Sequence, residues 1–190
     1  MKPERLQQLF SQKPANDLSL TIFDYACVSL IIKSSVTGLD LAFIRRAHNP
    51  QDPWSGQIAF PGGRREKEDR NDIATALRET REEVGWQLLE TDFLGYLSDV
   101  QARNRSGILN FFLRPLVFYI KEEQIIDGID SKEVDEVFWI SKEYLEDPKH
   151  KTSINVPSRG FDLPGIQFPK GDTLWGLTYM VTQEILNKLE

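Results

Sequence analysis

Three glutamates at helical spacing lie within one short stretch of the chain. Glu79, Glu82 and Glu83 fall inside 73–84, where apolar residues recur with the period of an α-helix. This spacing places the three carboxylates on one face beside the apolar stripe, where like charges repel unless a cation or an arginine compensates them. Magnesium and manganese favour carboxylate oxygens. The pattern predicts a divalent-metal site.

Glycines flank these carboxylates, whereas an acidic string alone more often indicates a solvated helix face. Pro61, Gly62 and Gly63 end a strand-like run, 57–60, in a turn that lets the backbone approach a ligand closely. Gly85 is a helix stop just past the last carboxylate. The combination is more specific than the acidic residues by themselves.

The segment resembles the box of the Nudix hydrolase family, in which a glycine and an acid precede Arg-Glu, an apolar residue, Glu-Glu and a final glycine. The matching positions are Arg78, Glu79, Thr80, Glu82, Glu83 and Gly85. Thr80 replaces the usual aliphatic residue, and the preceding acid, Asp69, is one residue farther from Arg78 than in the general box. The resemblance implies an α/β fold, a Nudix-type α/β/α sandwich with a mixed β-sheet, and hydrolysis of a pyrophosphate linkage.

The longer spacer is similar to that of the coenzyme A pyrophosphatases of this family. Phe60 to Gly63, Asp69 and Thr75 to Glu79 match their pattern, but the region of Gln51 and Asp52 lacks a basic residue that the subgroup often carries. The resemblance implies cleavage of coenzyme A, or a derivative, to 4'-phosphopantetheine and 3',5'-ADP. ADP-ribose, nucleotide-sugar or dinucleoside polyphosphate hydrolysis stays open, as does a non-catalytic ligand-binding module.

The family resemblance also implies roles for the box residues. Glu79 and Glu83 are expected to be the primary ligands of Mg²⁺ (or Mn²⁺), with Glu82 a direct or water-mediated ligand and the Gly63 carbonyl a further oxygen. Glu82 and Glu83 thereby count among the catalytic groups. Arg78 is expected to orient the carboxylates by a salt bridge.

An acid outside the box is expected to orient the attacking water. Glu133, just before a predicted strand, is the first candidate, and Glu136 and Glu123 are alternatives. Each is also consistent with an ordinary solvated surface acid.

Arginines near the box are candidates for binding substrate phosphates, because guanidinium groups make bidentate contacts with phosphate oxygens. The candidates close to the box in sequence are Arg45, Arg46, Arg64 and Arg65. Arg103 and Arg105 could recognise a second phosphate, such as the 3'-phosphate of coenzyme A. Trp54 and Phe111 could stack on a base, although such residues more often pack in a core.

Composition limits the range of functions. The chain has 190 residues and a net charge of -6, which argues against a nucleic-acid surface and predicts a small-molecule nucleoside diphosphate derivative as the partner. We expect residues 1–22 to form an N-terminal helix and linker and 23–190 a Nudix hydrolase domain that includes a C-terminal helix. No membrane segment is recognisable, so we expect a cytoplasmic monomer or homodimer. Cys27, the only cysteine, reads as a buried thiol.

The hydrophobic pattern predicts strands and short helices in a mixed order. Strands are expected at 26–33 and 39–47, joined as a hairpin, and at 93–101, 108–120 and 134–140, with helices at 3–10, from Ser141, and at 173–189.

Overall fold

The computed structural model describes residues 3–36, 38–52, 54–104, 107–155 and 162–190. The helices of this part of the chain are α1 (Pro3–Gln7), α2 (Asp72–Val84), α3 (Lys142–Glu146) and α4 (Gly176–Lys188). Its strands are β1 (Tyr25–Ser34), β2 (Leu39–Arg46), β3 (Ile58–Ala59), β4 (Gly62–Arg64), β5 (Phe93–Tyr96), β6 (Val100–Asn104), β7 (Gly107–Ile120), β8 (Val134–Ser141), β9 (Lys151–Asn155), β10 (Asp162–Gln167) and β11 (Thr173–Trp175).

Eight strands form one mixed sheet. Strands β3, β2, β1, β7 and β5 lie side by side in that order, while β4 pairs with β1, β6 with β7 and β8 with β2. Strand β1 runs parallel to β7, and the other pairings are antiparallel. The predicted hairpin of β1 and β2 is confirmed, closed by the Ser35 amide donating to the Gly38 carbonyl at 2.9 Å.

Side chains that alternate along β1 build two cores, one on each face of the sheet. Val28 and Ile32 belong to a cluster that includes Val181 of α4. On the other face, Cys27 and Ile31 belong to a cluster that includes Ala76 of α2. The sheet therefore lies between α2 and α4, in the predicted α/β/α sandwich.

The N-terminal segment packs against the sheet. Leu6, Phe10 and Ile22 are buried, and the Leu18 amide donates to the Asp99 carboxylate at 2.8 Å. The ordering of 3–22 thus depends on contacts with the rest of the chain. The division at residue 22 stays a prediction.

Several predicted boundaries were wrong, and the errors concentrate where a strand gives way to another element. The last helix begins at Gly176, not Thr173, because Gly176 takes a positive φ of 67° after strand β11. The stretch 93–101 divides into β5 and β6, and 102–104, predicted as a connection, continues β6. The small sheet of β9, β10 and β11 was not predicted.

Candidate active site

Helix α2 has capped ends that fix its length. The Asn71 side chain accepts a hydrogen bond from the Ala74 amide at 2.8 Å, and Gly85 ends the helix with φ of 70°. A Cβ atom at Gly85 would lie 2.5 Å from the carbonyl carbon of Asp127. Only glycine fits at this helix end, because the backbone of the 121–133 loop packs against it.

The threonine in place of an aliphatic residue has a polar partner inside the protein. The Thr80 hydroxyl donates to the Ser29 hydroxyl of β1 at 2.7 Å, and the Ser29 hydroxyl donates to the Ala76 carbonyl at 3.2 Å. Thr80 and Ser29 are fully buried. This hydrogen-bonded pair fixes α2 on β1, and the buried hydroxyls satisfy each other.

Two glutamates of α2 contact the two glycines of β4. The Gly62 amide donates to Glu83 Oε2 at 2.8 Å, and a Cβ atom at Gly63 would lie 2.5 Å from Glu79 Cδ. A Cβ at Gly62, whose φ is 147°, would lie 2.6 Å from the Cα of Val28. The absence of side chains at 62 and 63 therefore lets β4 lie close to β1 and leaves space for a carboxylate on its other side.

Burial distinguishes Glu83 from its neighbours. The side chain of Glu83 lies on the buried side of α2 with only 2% of the residue exposed, whereas Glu82 is exposed. The prediction that all three carboxylates lie beside the apolar stripe was therefore wrong for Glu83. Its burial raises the pKa of Glu83 to about 8, opposed by the Gly62 amide and the positive charge of Arg46. Burial also raises the pKa of Glu79, opposed by Arg78.

Arg78 connects the acidic groups of the box, as its predicted role requires. Its Nη1 atom donates to Glu79 Oε1 and to Glu82 Oε2, each at 2.9 Å. Its Nε and Nη2 atoms contact the two oxygens of Asp69 at 3.1 and 2.9 Å. This arginine lowers the pKa of Asp69 to about 2. Asp69 thus holds the guanidinium group that orients Glu79 and Glu82.

The candidate base Glu133 lies at the start of β8, close to the box. Its negative charge raises the pKa of both Glu79 and Glu83, and its carbonyl accepts a hydrogen bond from Ala47 at 2.8 Å. The preceding loop is fixed to α2, because the Asp130 amide donates to the Glu83 carbonyl at 3.0 Å. The backbone next to Glu133 is therefore held near the C-terminal end of α2.

The two alternative bases have cationic partners. Glu136 forms ion pairs with Arg45, at 2.6 Å, and with Lys170. Glu123 accepts a hydrogen bond from Lys33 at 2.6 Å. Both alternatives are thus engaged by cations, whereas the charge of Glu133 acts on Glu79 and Glu83. Glu133 stays the first candidate for the base.

Arg45 and Arg46 have different surroundings although they are adjacent on β2. Besides Glu136, Arg45 contacts Asp135 at 2.9 Å and Asp172 at 2.6 Å. Arg46 contacts Asp52 at 2.6 Å, and its positive charge opposes the rise in the pKa of Glu83 that burial causes. Of these two arginines, Arg46 is the one whose charge acts on Glu83 of the box. Arg45 is engaged by three carboxylates.

The other predicted phosphate ligands lie in different places. Arg64 pairs with Asp24 and lies over the Phe111 ring, 5.0 Å from its centroid. Arg65 donates to the Tyr25 hydroxyl and to the Asp69 carbonyl, each at 3.2 Å. Both line a cavity beyond the start of α2.

Arg103 and the two aromatic candidates lie near the β6–β7 hairpin. Arg103 is an exposed residue of β6, opposite Ile108, and Arg105 lies outside the described residues. Trp54 and Phe111 lie against each other, with ring centroids 6.1 Å apart. Because the two rings pack against each other, their positions are explained without a bound base.

A buried arginine was missed by the sequence reading. Arg114 lies in β7 and donates to Asp99 at 2.7 and 2.9 Å, to Asp72 at 2.9 Å and to Asp17 at 2.5 Å. The partners of Arg114 are distant in sequence, so no residue spacing around this arginine could predict them. Its partners join the N-terminal segment, the sheet and the start of α2.

The donor set suits a hard divalent cation. The Glu79 and Glu83 carboxylates lie at adjacent residues of β4, and the negative charge of Glu79 raises the pKa of Glu83. Within the described residues, no three acidic, histidine or cysteine side chains converge as they stand, since Glu82 contacts Arg78 instead. The carboxylate chemistry fits Mg²⁺ or Mn²⁺, with Glu79 and Glu83 as the pair already in place.

The glycines of β4, set against a helix with buried and arginine-held carboxylates, suit a hydrolase that acts on phosphate compounds. The family profile of the NUDIX domain matches residues 27–159. The chain belongs to the Nudix family, and it is a Nudix pyrophosphohydrolase. Enzymes of this family generally use divalent metal ions.

Relatives with known names support the assignment. The chain is 30% identical over 189 residues to the mitochondrial coenzyme A diphosphatase NUDT8 of Mus musculus, covering 98% of this chain and 87% of that protein. It is 28% identical to the peroxisomal coenzyme A diphosphatase NUDT7 of Mus musculus, over 70% of this chain and 54% of that protein. The chain therefore spans most of one relative and about half of the other.

The solved structures show the same fold. A MutT/nudix family protein from Enterococcus faecalis matches 87% of this chain and 62% of its own, with a TM-score of 0.58 and 17% identity. At this identity the likeness shows the fold alone.

Among the described residues, no helix has the length and apolar character needed to cross a membrane.

Proposed function

We propose that this protein hydrolyses the pyrophosphate linkage of coenzyme A, or of a coenzyme A derivative, to 4'-phosphopantetheine and 3',5'-ADP, with Mg²⁺ (or Mn²⁺) as cofactor. The observation that carries the hydrolytic part is the contact of Glu83 and Glu79 with Gly62 and Gly63. The coenzyme A part is supported by the Phe60–Gly63 approach and by the names of the two mouse relatives.

The metal-binding residues of this proposal are Glu79 and Glu83, with Glu82 and the Gly63 carbonyl completing the set. A divalent cation, when bound, neutralises phosphate oxygens and lowers the pKa of a water molecule at the site. Arg78 holds Glu79 and Glu82 in position, and Asp69 holds Arg78. The glutamates are thus preorganised by hydrogen bonds before substrate arrives.

The remaining residues act on the water and on the phosphates. Glu133 accepts the proton of the attacking water in this proposal. Its charge acts on both Glu79 and Glu83, and the loop that precedes it is hydrogen-bonded to the end of α2. Arg46 balances negative charge on the β2 side of the site. The roles of Arg45, Arg103 and Arg105 in substrate binding stay predictions, as do a cytoplasmic location and the monomeric or homodimeric state.

A substrate panel tests the proposal. We expect kcat/KM for coenzyme A in magnesium buffer to exceed that for ADP-ribose and for a nucleotide sugar, and activity to disappear in EDTA. Mass spectrometry of the products should show 4'-phosphopantetheine and 3',5'-ADP. A preference for ADP-ribose or the nucleotide sugar would reject coenzyme A while leaving the pyrophosphohydrolase intact. Tight ligand binding without turnover in either metal would favour the non-catalytic module.

A further inference from the structure

A cavity of about 490 Å³ lies beyond the start of α2, next to the candidate active site. It is enclosed by the 19–25 segment, the 64–67 turn and the first residue of α2. Resting on the proposed function, we propose that this cavity is a subsite for a second phosphate of the substrate, a phosphate monoester on the ribose. Arg65 and Lys67 are its cationic ligands.

Two of the charge pairs that line the cavity neutralise each other, and Arg65, Lys67 and Glu66 are left outside these pairs. Arg114 and Asp72 contact each other at 2.9 Å, and Arg64 pairs with Asp24. Asp24 is about half exposed, so solvent weakens that pair.

Arg65 is fixed in place without being neutralised at close range. Its two contacts at 3.2 Å are with the Tyr25 hydroxyl and the Asp69 carbonyl, which carry no net charge. Its nearest carboxylate, Asp72, is 3.9 Å away and is bound more closely by Arg114 and by the Tyr25 hydroxyl, at 2.9 and 2.8 Å. An oriented guanidinium group with spare donors suits a phosphate.

Lys67 adds a second positive charge at the same cavity. Within the described part of the chain, its ammonium group has no carboxylate partner. The neighbouring acid, Glu66, lies 3.9 Å from Arg78 and is itself largely exposed. A dianionic phosphate between Arg65 and Lys67 would therefore displace no buried ion pair.

The position of the cavity limits which phosphate could reach it. Gly63 contacts Glu79, and Arg65 follows two residues later, so their Cα atoms are at most about 7 Å apart. A scissile pyrophosphate at the glutamates and a phosphate at Arg65 are thus separated by roughly one sugar. This arrangement fits a nucleotide with phosphates on the 5' and the 3' or 2' oxygens, and it makes Arg65 and Lys67 alternatives to Arg103 and Arg105 for binding that phosphate.

Calorimetric binding to the metal-free protein tests the subsite without depending on turnover. Wild type should bind adenosine 3',5'-bisphosphate about ten-fold or more tightly than AMP, as expected for added charge-assisted hydrogen bonds. Arg65→Gln and Lys67→Gln should each reduce this ratio, and the double variant should bring it near one with little change for AMP. Arg70→Gln is the matched control, because Arg70 is exposed, pairs with Glu90 and does not line the cavity.

Two results would overturn the subsite, and a third would change the phosphate assigned to it. Wild type that binds both nucleotides equally has no second phosphate site, and a preference that survives in the folded double variant places the site elsewhere. Tighter binding of adenosine 2',5'-bisphosphate than of the 3',5' isomer would reject the 3'-phosphate. Circular dichroism and Tm verify that each variant is folded.

Turnover separates this inference from the proposed function. If the subsite binds as expected, coenzyme A should also exceed dephospho-coenzyme A in kcat/KM, and the double variant should lose that difference. Equal cleavage of the two substrates by wild type would reject the subsite and leave the pyrophosphatase function standing. If wild type prefers the 3',5'-bisphosphate but cleaves no substrate of the panel, the pyrophosphatase function is rejected and the phosphate subsite stands.

Discussion

The carboxylate of Glu79 occupies the space where a side chain of residue 63 would begin. A Cβ atom at Gly63 would lie 2.5 Å from Glu79 Cδ, closer than real Cβ contacts allow. Because the amide of the neighbouring Gly62 in β4 donates to Glu83, the glycine pair positions both predicted metal ligands. The glycines thus affect the site indirectly, because their lack of side chains leaves room for the two glutamate carboxylates.

Replacing Gly63 with alanine should displace the Glu79 carboxylate with little effect on folding, since the atom that must move is the flexible end of a side chain. We expect a fall in kcat/KM of about 10- to 100-fold, the range seen when a group that orients a metal ligand is lost. Gly128→Ala is the control, because a Cβ there meets no atom within 4 Å. Unchanged magnesium dependence and turnover in Gly63→Ala would contradict the role of this contact.

Changing either primary ligand should abolish most turnover while keeping the fold. Glu79→Gln and Glu83→Gln should each lower kcat by about 100-fold or more, at least as much as losing a supporting residue. Steady-state kinetics across a magnesium titration, with circular dichroism for folding, measures this. Normal turnover by folded Glu83→Gln would reject the metal assignment.

The candidate base should affect kcat more than KM, because it acts in the transition state. Glu133→Gln should lower kcat by more than about ten-fold with little change in KM. Glu123→Gln is the comparison and should do less, since Glu123 is bound to Lys33. If Glu133→Gln matches wild type, the base lies elsewhere and Glu136→Gln becomes the next test.

The stability of the metal-free protein should fall as the pH rises through the range in which Glu83 titrates. Folding raises the pKa of Glu83 from 4.5 to about 8, so the folded state holds this proton more tightly than the unfolded state. Its destabilising contribution is absent well below pH 4.5 and grows until the pH exceeds about 8.

Glu83→Gln removes this ionisation and should therefore raise the free energy of unfolding at pH 9 more than at pH 5. Urea unfolding in EDTA at both pH values measures the difference. Glu82→Gln provides the control, because that side chain is 56% exposed and solvent screens its charge. An equal effect of Glu83→Gln at both pH values would contradict the buried, proton-binding state of Glu83.

Local patterns in the sequence were sufficient to locate the box helix, the glycine that ends it and most strands of the large sheet. The prediction of a turn at 61–63 was wrong in part, because Gly62–Arg64 forms strand β4 beside β1. The bounds of helix α2 agree with its apolar periodicity and its capping residues. Strands β1 and β2 correspond to two apolar runs separated by a turn. The family resemblance added the sandwich and the class of reaction. These are properties of residues near one another in the chain.

The surroundings of each charge depended on residues far apart in sequence. Glu83 is buried because β4 lies against α2, and the loop that leads to Glu133 is hydrogen-bonded to the end of that helix. Spacing alone placed Glu83 with Glu82, yet packing put one inside and the other in solvent.

The same limit applies to the arginines. Arg45 and Arg46 are indistinguishable by position in the sequence, but successive residues of a strand point to opposite faces and meet different carboxylates. Sequence determined which residue types could bind metal and phosphate. Tertiary packing decided which of them are buried, which are already paired and which remain to meet a ligand, because desolvation and charge pairing are set by neighbours in space.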